Sequence, residues 1–590
     1  MKAIIILLII LILPAGKILH SQSNQIQYIN PLHDSQFNNK ETTILFKFNY
    51  LPSSKILNDY NRILVKGSIS GIHTGKIIIT RDNKTVIFKP DKSFSLGETV
   101  DVVTNFFSPF KYSFKIKEKD IYTSPMQSLY SELPKNYNKN NKIGNMINDT
   151  LPQDFPVIQL NTINNPSTGR IFLSNFPFNL NLHNSPFLVI SENNARNYYY
   201  KRMPAVCYDF KVQPNGYLTY YSALDFIHYE LDSNYNVFDI FYCGNGYAAD
   251  LHELRVMNDG SAFLLAYDPE IVNMSNYVPN GKPNATVTGL IIQKIDIDKN
   301  VIFQWRSWDH YKITDATHID FTADSIDYVH GNALEIDNDG NLLLSCRHMD
   351  EITKINSQTG DIIWRLGGKN NQFNFTNDTM KFSHQHAIRR IKNGDITLFD
   401  NGNFHYPPFS RAVEYALDEQ NKTITLIWQY RHSPDIFGLA MGYVQRLDNG
   451  NTFIGWGAAN PSVTEVDPNG NKVLELNLPG GIFSYRAYKF DWPMNEKLLD
   501  VIPQRFELKQ NFPNPFNPVT TIQFIIPKTE NVSLDVYDVL GRLSSSLFRG
   551  TLTANLYRFS WKASNFSSGV YFYRLKTDDF VQTKQMLLLK

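Results

Sequence analysis

The sequence predicts an all-β protein: a six-bladed β-propeller flanked on each side by a small β-sandwich. Three observations lead there. The 590 residues exceed what a single hydrophobic core serves, so several domains are expected. The 40 Phe and 32 Tyr, set among short β-branched runs, suit pleated, half-buried surfaces better than helices. A hairpin turn ending in glycine recurs five times through the middle of the chain, the spacing expected of multi-stranded repeats.

From the N-terminus, Met1-Lys2 precede an almost unbroken apolar run from Ala3 to Leu13, then Pro14-Ala15-Gly16. This pattern predicts a signal peptide over residues 1–22, too short to span a bilayer. No later run approaches a transmembrane length, so an exported chain without an integral membrane segment is expected. Residues 24–118 alternate in the strand sense, as in Ile44, Phe46 and Phe48, and predict a sandwich. The stretch Gly67-Ser68-Ile69-Ser70-Gly71 and the turn and strand from Asp82 to Pro90 resemble bacterial Ig-like modules. Over residues 119–155 the alternation fails and Asn and Pro accumulate, which marks a linker.

Residues 156–494 carry the repeats. Their turns are Pro214-Asn215-Gly216, Asn258-Asp259-Gly260, Asn338-Asp339-Gly340, Lys392-Asn393-Gly394 and Asp448-Asn449-Gly450. Asn-Gly and Asp-Gly favour the positive φ angles of tight hairpins, so each turn joins two antiparallel strands. Trp305, Trp364 and Trp428 end third strands and read as core. Five turns give five blades. Strands near 171–173, 187–190 and 485–490 supply a sixth, closed by strands from both ends, which removes exposed sheet edges.

Counting back from the turn glycines aligns the first strand of each blade. Eight residues before Gly260, Gly340 and Gly394 stand His252, Asn332 and His386; ten before the last two stand His330 and His384. Positions two apart share a strand face, and innermost strands line a propeller's axis, so these side chains are expected in one axial cluster. Arg347, at the far end of the returning strand, should approach His330 and Asn332, and a cation beside imidazoles suggests an anionic ligand. Asn401 and Arg486 also fall near channel ends. His348 and His405 lack the register and read as ordinary structural residues. Cys207 and Cys243 are either a pair or, like Cys346, buried thiols.

The ordered runs Asp250-Leu251-His252-Glu253, His330-Gly331-Asn332, Ser345-Cys346-Arg347, Trp364-Arg365-Leu366-Gly367-Gly368, Gln385-His386-Ala387, Phe399-Asp400-Asn401-Gly402-Asn403 and Ser484-Tyr485-Arg486 resemble those of arylsulfotransferases that use no nucleotide donor. The resemblance implies a six-bladed propeller that moves a sulfuryl group from a phenolic sulfate ester to a phenol. It makes His386 the nucleophile of a ping-pong reaction through a sulfohistidine, with His252, His330 and Arg347 as catalytic partners and Asn332, Asn401 and Arg486 as substrate-binding residues. No cofactor and no metal are implied. Residues 503–590, with Asn511-Phe512-Pro513-Asn514-Pro515, Tyr537-Asp538-Val539-Leu540-Gly541-Arg542 and Ser568-Gly569-Val570-Tyr571, resemble the C-terminal sorting domain of type IX secretion cargo. That resemblance implies passage through the periplasm, then release or cell-surface attachment, with the secretion machinery as partner.

With 57 basic and 56 acidic residues, the chain has no electrostatic footprint for nucleic acid. Two rivals stay open at this level. Three histidines can hold zinc or copper, although Arg347 would repel a cation and Asp250 is the only carboxylate in register. A non-catalytic propeller binding glycan or protein at the cell surface is the other. A quinone-dependent dehydrogenase is weaker still, for want of metal-ligand spacing.

Overall fold

The computed structural model describes residues 25–50, 62–121, 151–177, 185–492, 506–511, 514–552 and 555–589. The signal-peptide region and most of the 119–155 linker therefore lie outside the described residues. Within them the protein is all-β, with antiparallel sheets throughout and only single-turn helices such as Ser307–His310.

Between Ile26 and Lys115 two four-stranded sheets face one another. Alternate inward side chains, among them Ile44, Phe46, Val65, Val102 and Phe114, close a single core. This sandwich does not hang free. Tyr28, Leu45 and Ile87 enter the same core as Phe263, Phe303 and Trp305 of the central region, each contributing roughly 2 kcal/mol by burial. Buried Arg306 donates to the carbonyl of Phe37 (3.0 Å) and to Asn38 Oδ1 (2.9 Å), which fixes the contact angle.

Residues 159–490 form six sheets of four or five strands. The repeating unit is visible in Gly331–Ile336, Leu342–Cys346, Glu351–Ile355 and Ile362–Gly367, paired in that order. The turn glycines all have positive φ, for example +78° at Gly260 and +80° at Gly340. The Asn or Asp before each of them does not. Gly340 N–H bonds Asp337 O at 2.8 Å and Asp337 N–H bonds Asn341 O at 2.8 Å, so the hairpins are type I turns closed by a glycine bulge, not two-residue primed turns. The long gap between Gly260 and Gly340 is filled by two 11-residue strands, Ala262–Val272 and Ala285–Ile295, which extend to meet the N-terminal sandwich. Indole N–H groups tie neighbouring sheets: Trp305 donates to Gly360 O (3.1 Å) and Trp364 to Glu419 Oε2 (2.8 Å).

Both ends of this region close sheets. Ile482–Ser484 and Tyr488–Phe490 pair with Arg170–Pro177, while Gln159–Ile163 adds to Lys472–Asn477. The sequence reading placed the first of these and missed the second, because Gln159–Ile163 is polar and largely exposed. Cys207, Cys243 and Cys346 are buried free thiols, so Cys207 and Cys243 do not pair. Burial pushes the Cys207 thiol up to about 12, which leaves it inert. The C-terminal unit packs a three-stranded against a four-stranded sheet around Phe524, Leu534, Trp561 and Tyr573.

Candidate active site

The first strands of three successive sheets begin at Leu254, Gly331 and His386, and one local device recurs at their approaches. A carboxylate binds both the backbone N–H and the ring Nδ1 of a histidine. Asp250 Oδ1 takes the His252 N–H at 2.9 Å and its Nδ1; Asp327 takes His330 N–H at 3.0 Å and Nδ1 at 2.7 Å; Asp350 takes His384 N–H at 2.7 Å and Nδ1 at 3.1 Å. Each clamp places the ring proton on Nδ1 and turns Nε2 outward. His330 and His384 adopt left-handed backbone, φ 49° and 54°, a strain that the clamps hold in place.

The imidazoles lie side by side. Ring centroids of His252 and His330 are 5.1 Å apart, His330 and His348 4.6 Å, His348 and His384 5.6 Å, and His384 and His318 6.0 Å. His348, read from sequence as a bland residue, is thus inside the cluster, and His318 joins it through Asp350 Oδ2 at 3.2 Å. His405 instead sits against Asp400 at 3.2 Å, away from this row.

His386 is held differently. Its Nδ1 donates to Asn401 Oδ1 at 2.7 Å, and its Nε2 accepts the backbone N–H of Met441 at 3.2 Å. Asn401 Nδ2 in turn donates to Gly438 O (2.7 Å) and Met441 O (3.0 Å), which fixes which end of the amide faces the ring. Burial first, then the Arg347 charge and the His330 and His252 rings, keep the His386 imidazole well below its ordinary pKa and therefore neutral. His384 does not share its face as simple alternation required. It precedes the strand that begins at His386 and has φ 54°, so the extended alternation does not reach it; a β-bulge between His386 and Arg389, with Ala387 at φ 59°, follows.

Arg347 reaches His330 through its backbone N–H, 3.0 Å from His330 O, while its guanidinium donates from Nη1 to His348 Nε2 (2.8 Å) and from Nη2 to Leu439 O (3.1 Å). Its Nε is buried without a partner. Among the described residues the Arg347 guanidinium has His348 and Leu439, and not Asn332, as its hydrogen-bond partners. Asn332 Nδ2 donates one hydrogen to Gln385 O at 2.7 Å, which leaves its second N–H available as a donor, while its buried Oδ1 has no partner.

Arg486 lies beneath the cluster, fully buried in a network with Asp209 (3.1 Å), Glu253 (3.3 Å) and Asn332 O (2.8 Å). Lys211 bridges Asp209 and Glu253 at 2.6 Å each, and Arg389 adds a third bond to Glu253 at 2.7 Å. Against the penalty of burial, Arg389, Lys211 and Arg486 hold the Glu253 carboxyl well below its usual range. Such a network ties the first strands together through Asp209, Glu253 and the Asn332 carbonyl.

Asp327, His330 and His348 form the one group, among the described residues, whose donor atoms converge closely enough for a metal. Sequence register missed Asp327 because it lies on the short strand Ser325–Asp327, outside the hairpin that was aligned. Both His348 nitrogens are already used, Nδ1 on Asp327 O at 2.6 Å and Nε2 on the Arg347 guanidinium, so an ion there would meet a cation. The clamping carboxylates were visible in part: Asp250 and Asp327 precede their histidines by two and three residues. Asp350, His318, Tyr267, whose hydroxyl is 3.4 Å from His252 Nδ1, and the Leu439–Met441 backbone had no such signal.

Comparison with known proteins finds the arylsulfotransferase (ASST) family over residues 233–478 and the secretion system C-terminal sorting domain over residues 510–589. No curated protein matches the chain. Solved structures that resemble it include a protein of unknown function from Bacteroides caccae, 12% identical over 55% of this chain and 99% of that one, TM-score 0.35. Another is virginiamycin B lyase from Staphylococcus aureus, 7% identical over 62% of this chain and 94% of that one, TM-score 0.30. Among the described residues no helix is long and apolar enough to cross a membrane. The chain therefore carries an arylsulfotransferase domain, which holds His252, His330, Arg347 and His386, and a type IX sorting domain that directs it to secretion and cell-surface attachment.

Proposed function

We propose that the protein is an aryl-sulfate sulfotransferase that moves a sulfuryl group from a phenolic sulfate ester to a phenol through a sulfohistidine on His386. The observation that carries this reading is the pairing of a neutral imidazole, its Nδ1 fixed by Asn401, with the Arg347 cation that acts on it. In the first half-reaction Nε2 attacks sulfur; the N–S bond forms, the S–O bond to the aryl group breaks, and the phenolate leaves with the bonding pair. Arg347 offsets charge on the sulfuryl oxygens. In the second, His252 Nε2 takes the proton of the acceptor phenol, whose oxygen attacks sulfur as the N–S bond breaks.

In the resting geometry one segment covers both groups. The Met441 N–H faces the His386 lone pair and the Leu439 carbonyl faces Arg347, so the donor displaces these two peptide groups when it binds. Asn332, one of whose amide hydrogens is held by Gln385 O, keeps a second N–H with which to hold the sulfuryl group. We further infer that the six sheets of residues 156–494 are the blades of one closed propeller, with an Ig-like module over 24–118, a linker over 119–155 and the sorting domain over 503–590. The successive contacts Gln213 Nε2 to Leu254 O, Asn332 Nδ2 to Gln385 O and Gly442 N to Tyr485 O support that closure.

The test is incubation with 4-nitrophenyl sulfate followed by mass spectrometry of the His386 peptide. A sulfuryl adduct that phenol discharges is expected. Transfer that survives His386→Ala would refute the assignment, and absence of both adduct and transfer would favour a binding propeller. A metal-dependent reading has the Asp327–His330–His348 group in its favour; a stoichiometric ion required for turnover would establish it instead.

A further inference from the structure

The segment after Asn401 leaves the nucleophile and turns sharply to the rim. Gly402 has φ 65°, and a Cβ there would stand 2.0 Å from Phe409 O, so the reversal admits only glycine. It delivers Asn403 and Phe404 to the mouth of the histidine cluster. Asn403 Nδ2 donates to Leu439 O at 3.1 Å, the same carbonyl that receives Arg347 Nη2. The Arg347 side chain and this rim segment thus share one wall.

Phe404 is built as a platform. One face of its ring lies on His318, with centroids 3.5 Å apart and planes within 13°, and His384 stands 4.9 Å away on its flank. Both supporting imidazoles are held by the single carboxylate of Asp350. The backing is therefore fixed from two sides, yet Phe404 is still 53% exposed. Leu439, 55% exposed, adds apolar surface beside the shared carbonyl. A rigidly backed aromatic face left open to water, one carbonyl away from a cation with an unpaired Nε, matches a ligand with a flat apolar part and an anionic part.

We propose that Phe404, backed by His318, is the stacking surface for the aryl ring of the sulfate ester and sets the preference for aromatic over alkyl sulfates. The proposal rests on the sulfuryl-transfer reading for the identity of the anionic part, and it concerns recognition of the ring alone. His318 positions Phe404 and is assigned no part in the chemistry.

The experiment separates ring binding from transfer. In the full-length His386→Ala protein, which cannot turn over, the affinity for 4-nitrophenyl sulfate is measured by calorimetry with and without Phe404→Ala. Loss of the platform is expected to weaken binding about five- to tenfold, Phe404→Trp to retain it, and an alkyl sulfate of similar length to bind weakly to all three. In the active protein Phe404→Ala is expected to raise KM by the same factor with kcat within about twofold, the signature of binding lost equally in ground and transition states. Because the ring is exposed, the melting temperature should not move. Unchanged affinity in Phe404→Ala, or equal affinity for the alkyl sulfate in the parent protein, overturns the proposal. Phe404-dependent binding without any adduct on His386 would instead leave the platform standing and remove the transfer reading.

Discussion

Asn401 Oδ1 lies 2.7 Å from His386 Nδ1, and the same amide's Nδ2 is anchored to Gly438 O and Met441 O. The amide cannot turn over without losing three bonds, so His386 keeps its proton on Nδ1 and its lone pair on Nε2. Asn401→Ala is expected to lower kcat about 10- to 100-fold, as removal of an orienting partner typically does. Asn401→Asp retains the Nδ1 bond and adds a negative charge, which raises the basicity of the ring. Its acid limb should move toward neutral pH while adduct formation persists, a result that pH profiles of His386 labelling would check.

Arg347 lowers the His386 pKa, and in the proposed reaction it offsets charge on the sulfuryl oxygens. Arg347→Met should cost about 100- to 1,000-fold in kcat, the scale of losing one preorganised donor. A nucleophilic imidazole works only above its own pKa. Since burial and Arg347 depress that pKa, wild-type labelling should persist well below pH 6.5, and the residual activity of Arg347→Met should fall away at a higher pH. Single-turnover labelling across pH 4 to 8 measures both.

Arg486, expected to bind substrate, is fully buried and bonded to Asp209 and Glu253. Removing it leaves Lys211 as the one cation on Asp209 and strips the buried Asn332 carbonyl of its donor. Arg486→Met is expected to cost roughly 3–5 kcal/mol of stability, read as a lower urea midpoint. A KM effect with unaltered stability would return Arg486 to the substrate.

Where the N-terminal sandwich meets the central region, burial and the neighbouring Asp268 push the Glu270 carboxyl up to about 9, with Lys117 only 3.7 Å away. The folded pKa is raised above its unfolded value. Its contribution is therefore fully present below about pH 4.5 and is lost as pH rises toward about 9. Glu270→Gln should flatten the decline in melting temperature on the alkaline side. His228, buried and depressed to about 4, works in the opposite direction, and its contribution of at most about 3 kcal/mol disappears as pH falls from about 6.5 to 4. Melting curves across pH 4 to 10 resolve the two.

If no metal takes part, chelation leaves transfer unchanged, and zinc added to the protein should inhibit by engaging His330. Loss of activity on chelation with recovery on one specific ion would favour the Asp327–His330–His348 group as a working metal centre.

The β architecture was legible because hairpin glycines and strand alternation are local signals, read correctly at Gly260, Gly340 and Gly394. Which histidines gather was legible for His252, His330 and His386 through the repeat. Their orientation was not. His384 precedes the strand and its own left-handed backbone breaks the alternation that placed it, and Arg347 turns toward the adjacent His348 and toward Leu439, a partner remote in sequence. Asn401 showed its proximity in sequence but not its task, since a side-chain amide serves ligand and imidazole equally well until its own hydrogen bonds are known.

Strand Gln159–Ile163 finishes one sheet only after residues 472–477 exist, and Arg170–Pro177 finds its partners only with residues 482–490. The export address follows directly, at residues 510–589. A polypeptide released early from the ribosome would therefore lack its closing strands and its address together. Completion of the two closing sheets and possession of the sorting domain are thus tied to the same stretch of chain, the part made last.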